Sequence, residues 1–235
     1  MRVIAVASRK GGSGKTTLAG HLGVQAELDG AGPVALVDVD PQGSLAEWWN
    51  ARSAPTPYFV HTAVSRLSDD IAELKNLGVE LLVIDTPPAL TSLIKDVIDV
   101  SDLVVIPTRP SPHDLRSIGA TVELVEHLGK PLIFVLNGAA MRARITAEAV
   151  TVLSRHGTLA PTVVHQRVDF ASSMIDGRTV MELPGKSRSA AEIAELWGYL
   201  RDRLDGNVSR RHFPIPGPLA AAAAASDRAL RQEPA

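Results

Sequence analysis

A glycine-rich loop at residues 9–17, Arg-Lys-Gly-Gly-Ser-Gly-Lys-Thr-Thr, constrains the fold of this chain more than any other feature. The apolar run before it, residues 3–7, predicts a buried strand. The apolar residues after it recur at helical spacing, at Leu18, Leu22, Val24 and Leu28. A glycine-rich turn between a strand and a helix leaves backbone N–H groups free to face a phosphate, and the helix dipole adds to the attraction. The loop therefore predicts an α/β unit with a phosphate site at this turn.

The end of the loop carries side chains suited to a phosphate and its counterion. Lys15 can reach the outer phosphates of a nucleotide, and the Thr16 hydroxyl can bind Mg²⁺. The strict pattern G-x-x-x-x-G-K-[ST] requires glycine at the position of Arg9, so this loop is a variant. The variant adds a second lysine, Lys10, inside the glycine turn.

Apolar strands alternate with helices along most of the chain, which predicts an α/β fold with a mostly parallel sheet and helices on both faces. The predicted strands are residues 3–7, 33–38, 58–61, 81–85, 103–107, 131–137 and 161–165. The predicted helices are residues 15–30, 44–50, 65–77, 91–100, 114–128, 146–156 and 189–204, with a further short helix between the last strand and the last helix. We expect one domain over residues 1–205. The Pro- and Ala-rich tail at 206–235 is either disordered or ends in a short alanine-rich helix.

The composition excludes several classes of protein. The 235 residues include no cysteine, which excludes disulfides, thiol nucleophiles and iron–sulfur clusters held by cysteine. With no apolar run of bilayer length and no signal peptide, we expect a cytosolic protein. Residues 1–141 contain 11 Lys and Arg against 16 Asp and Glu, a net of −5, whereas residues 142–211 contain 11 against 8, a net of +3. The basic part fits either a solvated surface or a face that meets phosphate backbone, and the sequence leaves both open.

Three carboxylates follow predicted strands. Asp38 and Asp40 end one strand, and Asp85 ends another. The ligand crevice of a parallel sheet lies beyond the carboxyl ends of its strands, so we expect all three acids beside the phosphate loop. There an acid can hold the hydration shell of Mg²⁺ or orient an attacking water. A single aspartate at a strand end is most often a helix cap, but three that follow a phosphate loop favour a metal-dependent site.

Four segments together resemble the ParA/MinD group of P-loop ATPases. Residues 10–16 match the deviant Walker A pattern K-G-G-x-G-K-[ST] at every position, and residues 38–42 match the D-x-D-P-Q form of the ParA branch. Residues 83–88 are similar to the Walker B strand and turn of this group, and residues 181–187 to a C-terminal segment. The resemblance covers about residues 1–205, without the N-terminal helix-turn-helix region of the larger plasmid proteins. It implies a P-loop NTPase fold.

The resemblance implies a role for each residue of the loop. Lys10 would cross to the ATP of a partner subunit and stabilise charge on its phosphates. Lys15 would contact the β- and γ-phosphates, Thr16 the Mg²⁺ ion and Thr17 a neighbouring phosphate. Lys10 and Lys15 are thus expected to be catalytic, and the rest of the nucleotide-binding loop would be Gly11, Gly12, Ser13 and Gly14.

The resemblance also implies roles outside the loop. Asp40 would be catalytic by positioning the hydrolytic water, Asp38 would support the metal region, and Asp85 would bond a metal-bound water. The expected metal-site residues are therefore Thr16, Asp38, Asp40 and Asp85. Asn137 resembles the adenine-reading residue of the family, although an ordinary turn asparagine fits its sequence position equally well.

The function implied is that of a slow, Mg²⁺-dependent ATPase in the cytoplasm, associated with the nucleoid. ATP would lock a homodimer that binds duplex DNA without sequence preference, and a ParB-like or other adaptor would trigger hydrolysis. The cargo would be a plasmid, a chromosome region or another body. For each candidate DNA contact a solvated surface position is also a sufficient explanation; the candidates are Arg142, Arg144, Arg167, Arg178, Lys186 and Arg188.

Three other functions on this fold fit the sequence less well. A MinD-like membrane switch needs a basic amphipathic C-terminal helix, and residues 214–235 lack such a face. A nitrogenase iron protein or cluster carrier needs cysteines, which are absent. Lys10 and the Asp-Pro-Gln motif argue against a small-molecule ligase or synthetase, but a substrate pocket is not excluded by sequence.

Overall fold

A computed structural model describes residues 1–88, 92–185 and 187–206. Its centre is an eight-stranded sheet in the order β3-β2-β4-β1-β5-β6-β7, with β8 also paired to β6, and every pairing is parallel. The strands are β1 (Arg2–Val6), β2 (Val34–Asp38), β3 (Tyr58–Val60), β4 (Leu81–Asp85), β5 (Leu103–Thr108), β6 (Leu132–Ala139), β7 (Thr158–Leu159) and β8 (Val164–His165).

The helices follow the strands in the alternation that the sequence predicts. They are α1 (Lys15–Leu28), α2 (Ser44–Asn50), α3 (Leu67–Asn76), α4 (Ser92–Val100), α5 (Pro112–Ser117), α6 (Gly119–His127), α7 (Arg144–Leu153), α8 (Val168–Met174) and α9 (Arg188–Leu204). A short 3₁₀ helix, Val64–Arg66, precedes α3. No helix within the described residues is both long and apolar enough to cross a membrane.

The sheet is buried on both faces, as its apolar strands require. Alternate residues of β1 point to opposite sides, so Ile4 and Val6 belong to one core while Val3 and Ala5 belong to another. Helices α1, α2, α8 and α9 contribute to the core on the first side. Helices α3 to α7 contribute to the two core clusters on the second. This layering brings the carboxyl ends of the strands to one edge, where the loop before α1 lies.

Helix α1 lies close to both the sheet and α2 because it carries glycines on its inner side. A β-carbon added at Gly23 would come within 2.6 Å of the Leu36 side chain of β2. One added at Gly20 would meet the Trp48 ring of α2 at 3.2 Å. The phosphate loop, which ends where α1 begins, is therefore fixed to the sheet through a closely packed helix.

Two predicted elements were wrong in detail. The helix predicted over residues 114–128 is two helices, α5 and α6, interrupted at Ile118. The Ser117 hydroxyl donates to the Asp114 carbonyl at 2.8 Å, a local bond that competes with the helical ladder. The strand predicted over residues 161–165 is only Val164–His165, and the short strand β7 was not predicted. Both strands have two residues, too few for a periodic pattern. Residues 207–235 of the predicted tail lie outside the described residues, so the domain division stays a prediction.

Candidate nucleotide-binding site

The loop between β1 and α1 has the backbone geometry that a phosphate site needs. Gly14 precedes the first residue of α1 with a φ of 91°, a left-handed conformation that a residue with a side chain rarely adopts. Within the described residues, the backbone N–H groups of Gly11 to Gly14 donate no hydrogen bond to another group. Four donors at the start of a 14-residue helix are thus available to an anion.

Asn137 holds the loop from the neighbouring part of the sheet. This residue lies within β6, and its Nδ2 atom donates to the Ser13 carbonyl at 2.7 Å. A β-carbon at Gly14 would come within 2.2 Å of the same Nδ2 atom, so glycine is required there for space as well as for conformation. Asn137 therefore supports the loop directly. Its predicted adenine-reading role stays a prediction, although it also lines a cavity next to the loop.

Thr16 and Asp85, both predicted metal-site residues, are in direct contact. The Thr16 hydroxyl donates to Oδ2 of Asp85 at 2.5 Å. Asp85 is 1% exposed, and its Oδ1 atom has no hydrogen-bond partner within the described residues. Burial raises the pKa of Asp85 to about 7, and the nearby carboxylates of Asp38 and Asp40 add to the rise, against the Thr16 hydrogen bond and the Lys15 charge.

This arrangement fits a hydrated Mg²⁺ ion. An unpaired buried carboxylate oxygen beside a threonine hydroxyl is the donor set that Mg²⁺ uses when nucleotide phosphates complete its coordination. Within the described residues, no group of three or more His, Asp or Glu side chains forms a metal cage by itself. The ion would therefore be held jointly by the Thr16 hydroxyl, by waters bonded to Asp85 and by phosphate oxygens.

Lys15 is the first residue of α1 and is 7% exposed. Burial lowers its pKa, while the charges of Asp85 and Asp40 oppose that shift. Lys10 lies in the same loop but is exposed, and it does not line the cavity next to Lys15. The two lysines that the sequence predicts to be catalytic thus differ in surroundings, with one facing the cavity of its own chain and the other facing solvent.

Asp38 and Asp40 are two residues apart and have different partners. Oδ1 of Asp38 accepts from the Asp40 N–H at 2.9 Å, and Oδ2 accepts from the N–H groups of Leu45 and Ala46 at 2.9 and 3.2 Å. Asp38 thereby caps the start of α2 and shapes the turn that carries Asp40. Asp40 accepts one bond, from the Gln42 N–H at 3.0 Å, and its side chain borders the cavity.

Two neighbouring cavities lie along the loop and share Gly14, Thr17 and Arg109 in their linings. The larger has a volume of about 640 Å³, within the range of small-molecule sites. It is bordered by the loop, Lys15, Thr16 and Asp40 on one side, and by α2 and the end of α8 on the other. The smaller cavity, of about 230 Å³, lies beyond Gly14 and Thr17. It is lined by Asn137 and by the segment after β8.

Sequence reasoning missed several residues that line these cavities. Glu47 of α2 borders the larger cavity, and Arg109, just after β5, borders both. Neither residue belongs to a motif. The signal that could have identified Arg109 is its position at the end of a predicted strand, where the ligand crevice of a parallel sheet lies.

The predicted DNA contacts are not equivalent in the structure. Three of the arginines form ion pairs: Arg167 with Glu192 at 2.6 Å, Arg178 with Asp176 at 2.6 Å, and Arg144 with Glu148 at 3.3 Å. Arg142 and Arg188 are exposed and take part in no ion pair within the described residues, and Lys186 lies outside them. Arg142 also has a φ of 58°, an uncommon conformation for a residue with a side chain.

Comparison with known proteins agrees with this geometry. The family model described as the CobQ/CobB/MinD/ParA nucleotide binding domain matches residues 4–180. This chain belongs to that family. It is 33% identical, over 204 residues, to the maintenance of carboxysome distribution protein A of Halothiobacillus neapolitanus. That match covers 80% of this chain and 91% of the relative. The prediction of a ParA/MinD family member is therefore confirmed.

Solved structures of family members share the fold. A substituted form of Cyanothece McdA in complex with ATP superposes with a TM-score of 0.70 at 18% identity, covering 88% of this chain and 96% of the other. MinD from Pyrococcus horikoshii, complexed with Mg-ADP, superposes with a TM-score of 0.71 at 17% identity, covering 89% and 99%. The predicted parallel α/β fold is confirmed. The predicted cofactors, ATP and Mg²⁺, match the ligands named in these structures.

Proposed function

We propose that this protein is a Mg²⁺-dependent ATPase that uses ATP binding and hydrolysis to position a large intracellular cargo. The observation that carries the ATPase proposal is the junction of the loop with Asp85. Free N–H groups, a buried lysine, and a threonine hydroxyl beside an unpaired carboxylate oxygen converge on one cavity. Mg²⁺ bound there would neutralise charge on the phosphates.

The residues of the chain divide the remaining work. The loop N–H groups and Lys15 hold the phosphates, and the carboxylate of Asp40 orients a water for attack. The half-buried position of Asp40 at the cavity supports that role. Lys10 is exposed outside the cavity, which supports its contribution to the site of a second copy. Self-association in the ATP state would then complete the site, and hydrolysis would dissolve the dimer.

The carboxysome distribution relative supports a cargo-positioning role. We propose a protein-built compartment as the cargo, held by an adaptor that stimulates hydrolysis, with the ATP dimer bound non-specifically to nucleoid DNA. Arg142 and Arg188 are the favoured DNA contacts, because neither forms an ion pair within the described residues. A plasmid or a chromosome region is the alternative cargo.

Phosphate release and light scattering test the ATPase and the dimer together. We expect dimers of the wild-type chain with ATP and monomers with ADP. Asp40→Ala should keep the ATP dimer and release phosphate about 10²-fold or more slowly, the scale of a lost general base. Lys15→Ala should lose both the ATP dimer and phosphate release. Equal dimerisation with ADP, or unchanged phosphate release by Asp40→Ala, would contradict the proposal.

Gel shifts with arbitrary duplex DNA test the DNA step. Binding should require ATP and weaken steeply with salt, because each phosphate contact contributes a slope of about −0.9 in log K against log salt. Arg142→Ala should reduce that slope, whereas the matched change Arg167→Ala, at a residue paired with Glu192, should not. The cargo is tested in cells that lack the protein, where clustered compartments with normal plasmid retention are expected. Plasmid loss with normally spaced compartments would favour the alternative.

A further inference from the structure

Arg109 lies where the two cavities meet. It follows the last residue of β5, Thr108, which is in register with Leu136 of β6, so Arg109 emerges beside Asn137. Its side chain borders the larger cavity together with Lys15 and Thr16. It also borders the smaller cavity together with Gly14 and Asn137. Arg109 and two loop residues, Gly14 and Thr17, border both.

The charges around the larger cavity leave Arg109 available to a ligand. Four charged residues line that cavity: Lys15, Arg109, Asp40 and Glu47. Lys15 is buried, which lowers its pKa, and the charges of Asp85 and Asp40 oppose that shift. Arg109 is exposed and forms no ion pair or side-chain hydrogen bond with another described residue. An anion in the cavity would therefore find, beside the buried Lys15, a second cation that no described side chain pairs with.

The position of Arg109 also indicates which part of a nucleotide it can reach. Lys15 and Thr16, at the start of α1, mark the place of the outer phosphates. The smaller cavity beyond Gly14 is the space left for the base. A side chain that borders both spaces lies at the joint between them, next to the α-phosphate. A guanidinium suits that place, because its planar fork bonds phosphate oxygens and its face stacks on a ring.

We propose that Arg109 is a nucleotide-contacting residue that binds the α-phosphate end of ATP and ADP and contributes equally to both. The inference rests on the ATPase function proposed above, whose site it completes. Because the contact is made to a part that ATP and ADP share, Arg109 holds the nucleotide through hydrolysis without favouring either state. The discrimination between the two nucleotides is left to residues at the γ-phosphate.

The test measures the affinities of ATP, ADP and AMP for the full chain by equilibrium fluorescence titration at fixed salt with Mg²⁺. Arg109→Ala should weaken all three by a similar factor, about 10- to 100-fold, as expected when a charge-assisted hydrogen bond is lost. The affinities of Arg109→Lys for the three nucleotides should lie between those of Arg109→Ala and those of the wild type. The matched control is Arg116→Ala, an exposed arginine of α5 that lines neither cavity. It should bind like the wild type.

Single-turnover phosphate release at saturating ATP separates this role from others. Arg109→Ala should lose much less in the rate at which it hydrolyses bound ATP than in its affinity for ATP, since a contact made equally before and during the reaction contributes mainly to binding. Unchanged affinities would overturn the proposal, and so would weakening confined to ATP or a slower single turnover with normal affinity. If wild-type chain hydrolyses ATP and Lys15→Ala does not, such a result refutes Arg109 alone and leaves the proposed function standing.

Discussion

The two walls of the larger cavity are held in different ways. The loop wall, which is formed by the loop at residues 11–17, is fixed from behind by Asp85 and Asn137, whose side chains bond Thr16 and Ser13. The helix wall is formed by α2, Met174 and Ile175. The segment 177–182 behind it is joined to Trp48 and Arg52 by hydrogen bonds between residues 125 to 130 positions apart. The loop wall carries the groups that we propose bind the nucleotide, and the helix wall carries backbone N–H groups of α2 that bond Asp38, next to Asp40.

The helix wall is centred on Arg52. Its side chain is 2% exposed, lies over the Trp48 ring at 4.9 Å, and donates two hydrogen bonds to Glu182. It also donates to the Gly177 carbonyl at 2.6 Å, while the Trp48 indole donates to the Arg178 carbonyl at 3.1 Å. The two segments therefore behave as one packed unit. The two walls are thus held by separate sets of contacts, so we expect that the helix wall can be disrupted while the loop wall stays intact.

The largest effect is expected from Gly177→Ala, which breaks the helix wall. A β-carbon there would lie 2.3 Å from the backbone nitrogen of Arg52, and backbone atoms cannot move aside as a flexible side chain can. The control is Gly30→Ala, since Gly30 has the same φ of 75° but no atom within 4 Å of such a carbon. We expect Gly30→Ala to lower the free energy of unfolding by about 1 kcal/mol. Gly177→Ala should lower it by about 3 kcal/mol or more.

Urea unfolding of both variants measures the difference. Equal losses in the free energy of unfolding would show that the structure accommodates a β-carbon at Gly177 with no penalty beyond that at Gly30. If the walls are separable, any folded Gly177→Ala protein should still bind ADP, because the loop wall is unchanged, while its phosphate release slows.

The second effect concerns the loop wall and depends on pH. The pKa of Asp85 is about 7 in the folded protein, against 3.8 for an aspartate that is free in water, as in an unfolded chain, so ionising it disfavours folding. The free energy of unfolding of the nucleotide-free protein should therefore fall as pH rises from about 4 to about 7. Asp85→Asn removes this dependence and should be more stable than wild type at pH 8 by on the order of 2–4 kcal/mol. It should also lose hydrolysis.

Thermal unfolding from pH 4 to pH 8, without nucleotide, checks this prediction against Asp99→Asn, at an exposed position of α4 that forms no ion pair within the described residues. A wild-type curve parallel to that of Asp85→Asn over this range would mean that Asp85 is ionised without penalty. Adding Mg²⁺ and ADP should reduce the difference in stability between the wild type and Asp85→Asn. The reason is that the bound ion would offset the charge of the buried Asp85 carboxylate.

The smallest effect on stability separates the two acids at the start of the helix wall. Asp38 accepts three backbone N–H groups and caps α2, so Asp38→Ala should cost about 1–2 kcal/mol. Asp40 accepts one exposed bond, so Asp40→Ala should cost less than about 0.5 kcal/mol. The rate of ATP hydrolysis should fall more in Asp40→Ala than in Asp38→Ala. Equal stability losses measured by urea unfolding would contradict the capping role of Asp38.

The loop wall could be predicted because its chemistry is local in sequence. Residues 10–17 form one motif, and Asp85 ends a strand whose place follows from the rule for parallel sheets. The helix wall could not, because Arg52, Gly177 and Glu182 meet only after the chain has folded, and no short pattern marks them. Arg109 was not predicted from the sequence for the same reason, because no short pattern marks it. The interruption at Ile118 depends on a competing hydroxyl bond, which hydrophobic periodicity does not report.

The contacts of the helix wall connect Asp40 to a distant surface. Asp38 fixes the turn that carries Asp40 to α2, and α2 is fixed through Arg52 to the chain after α8. At the two ends of α8 lie Val168 and Ile175, which are 81% and 82% exposed. The exposed apolar surface at α8 is therefore joined, through a continuous set of hydrogen bonds, to the turn that carries Asp40.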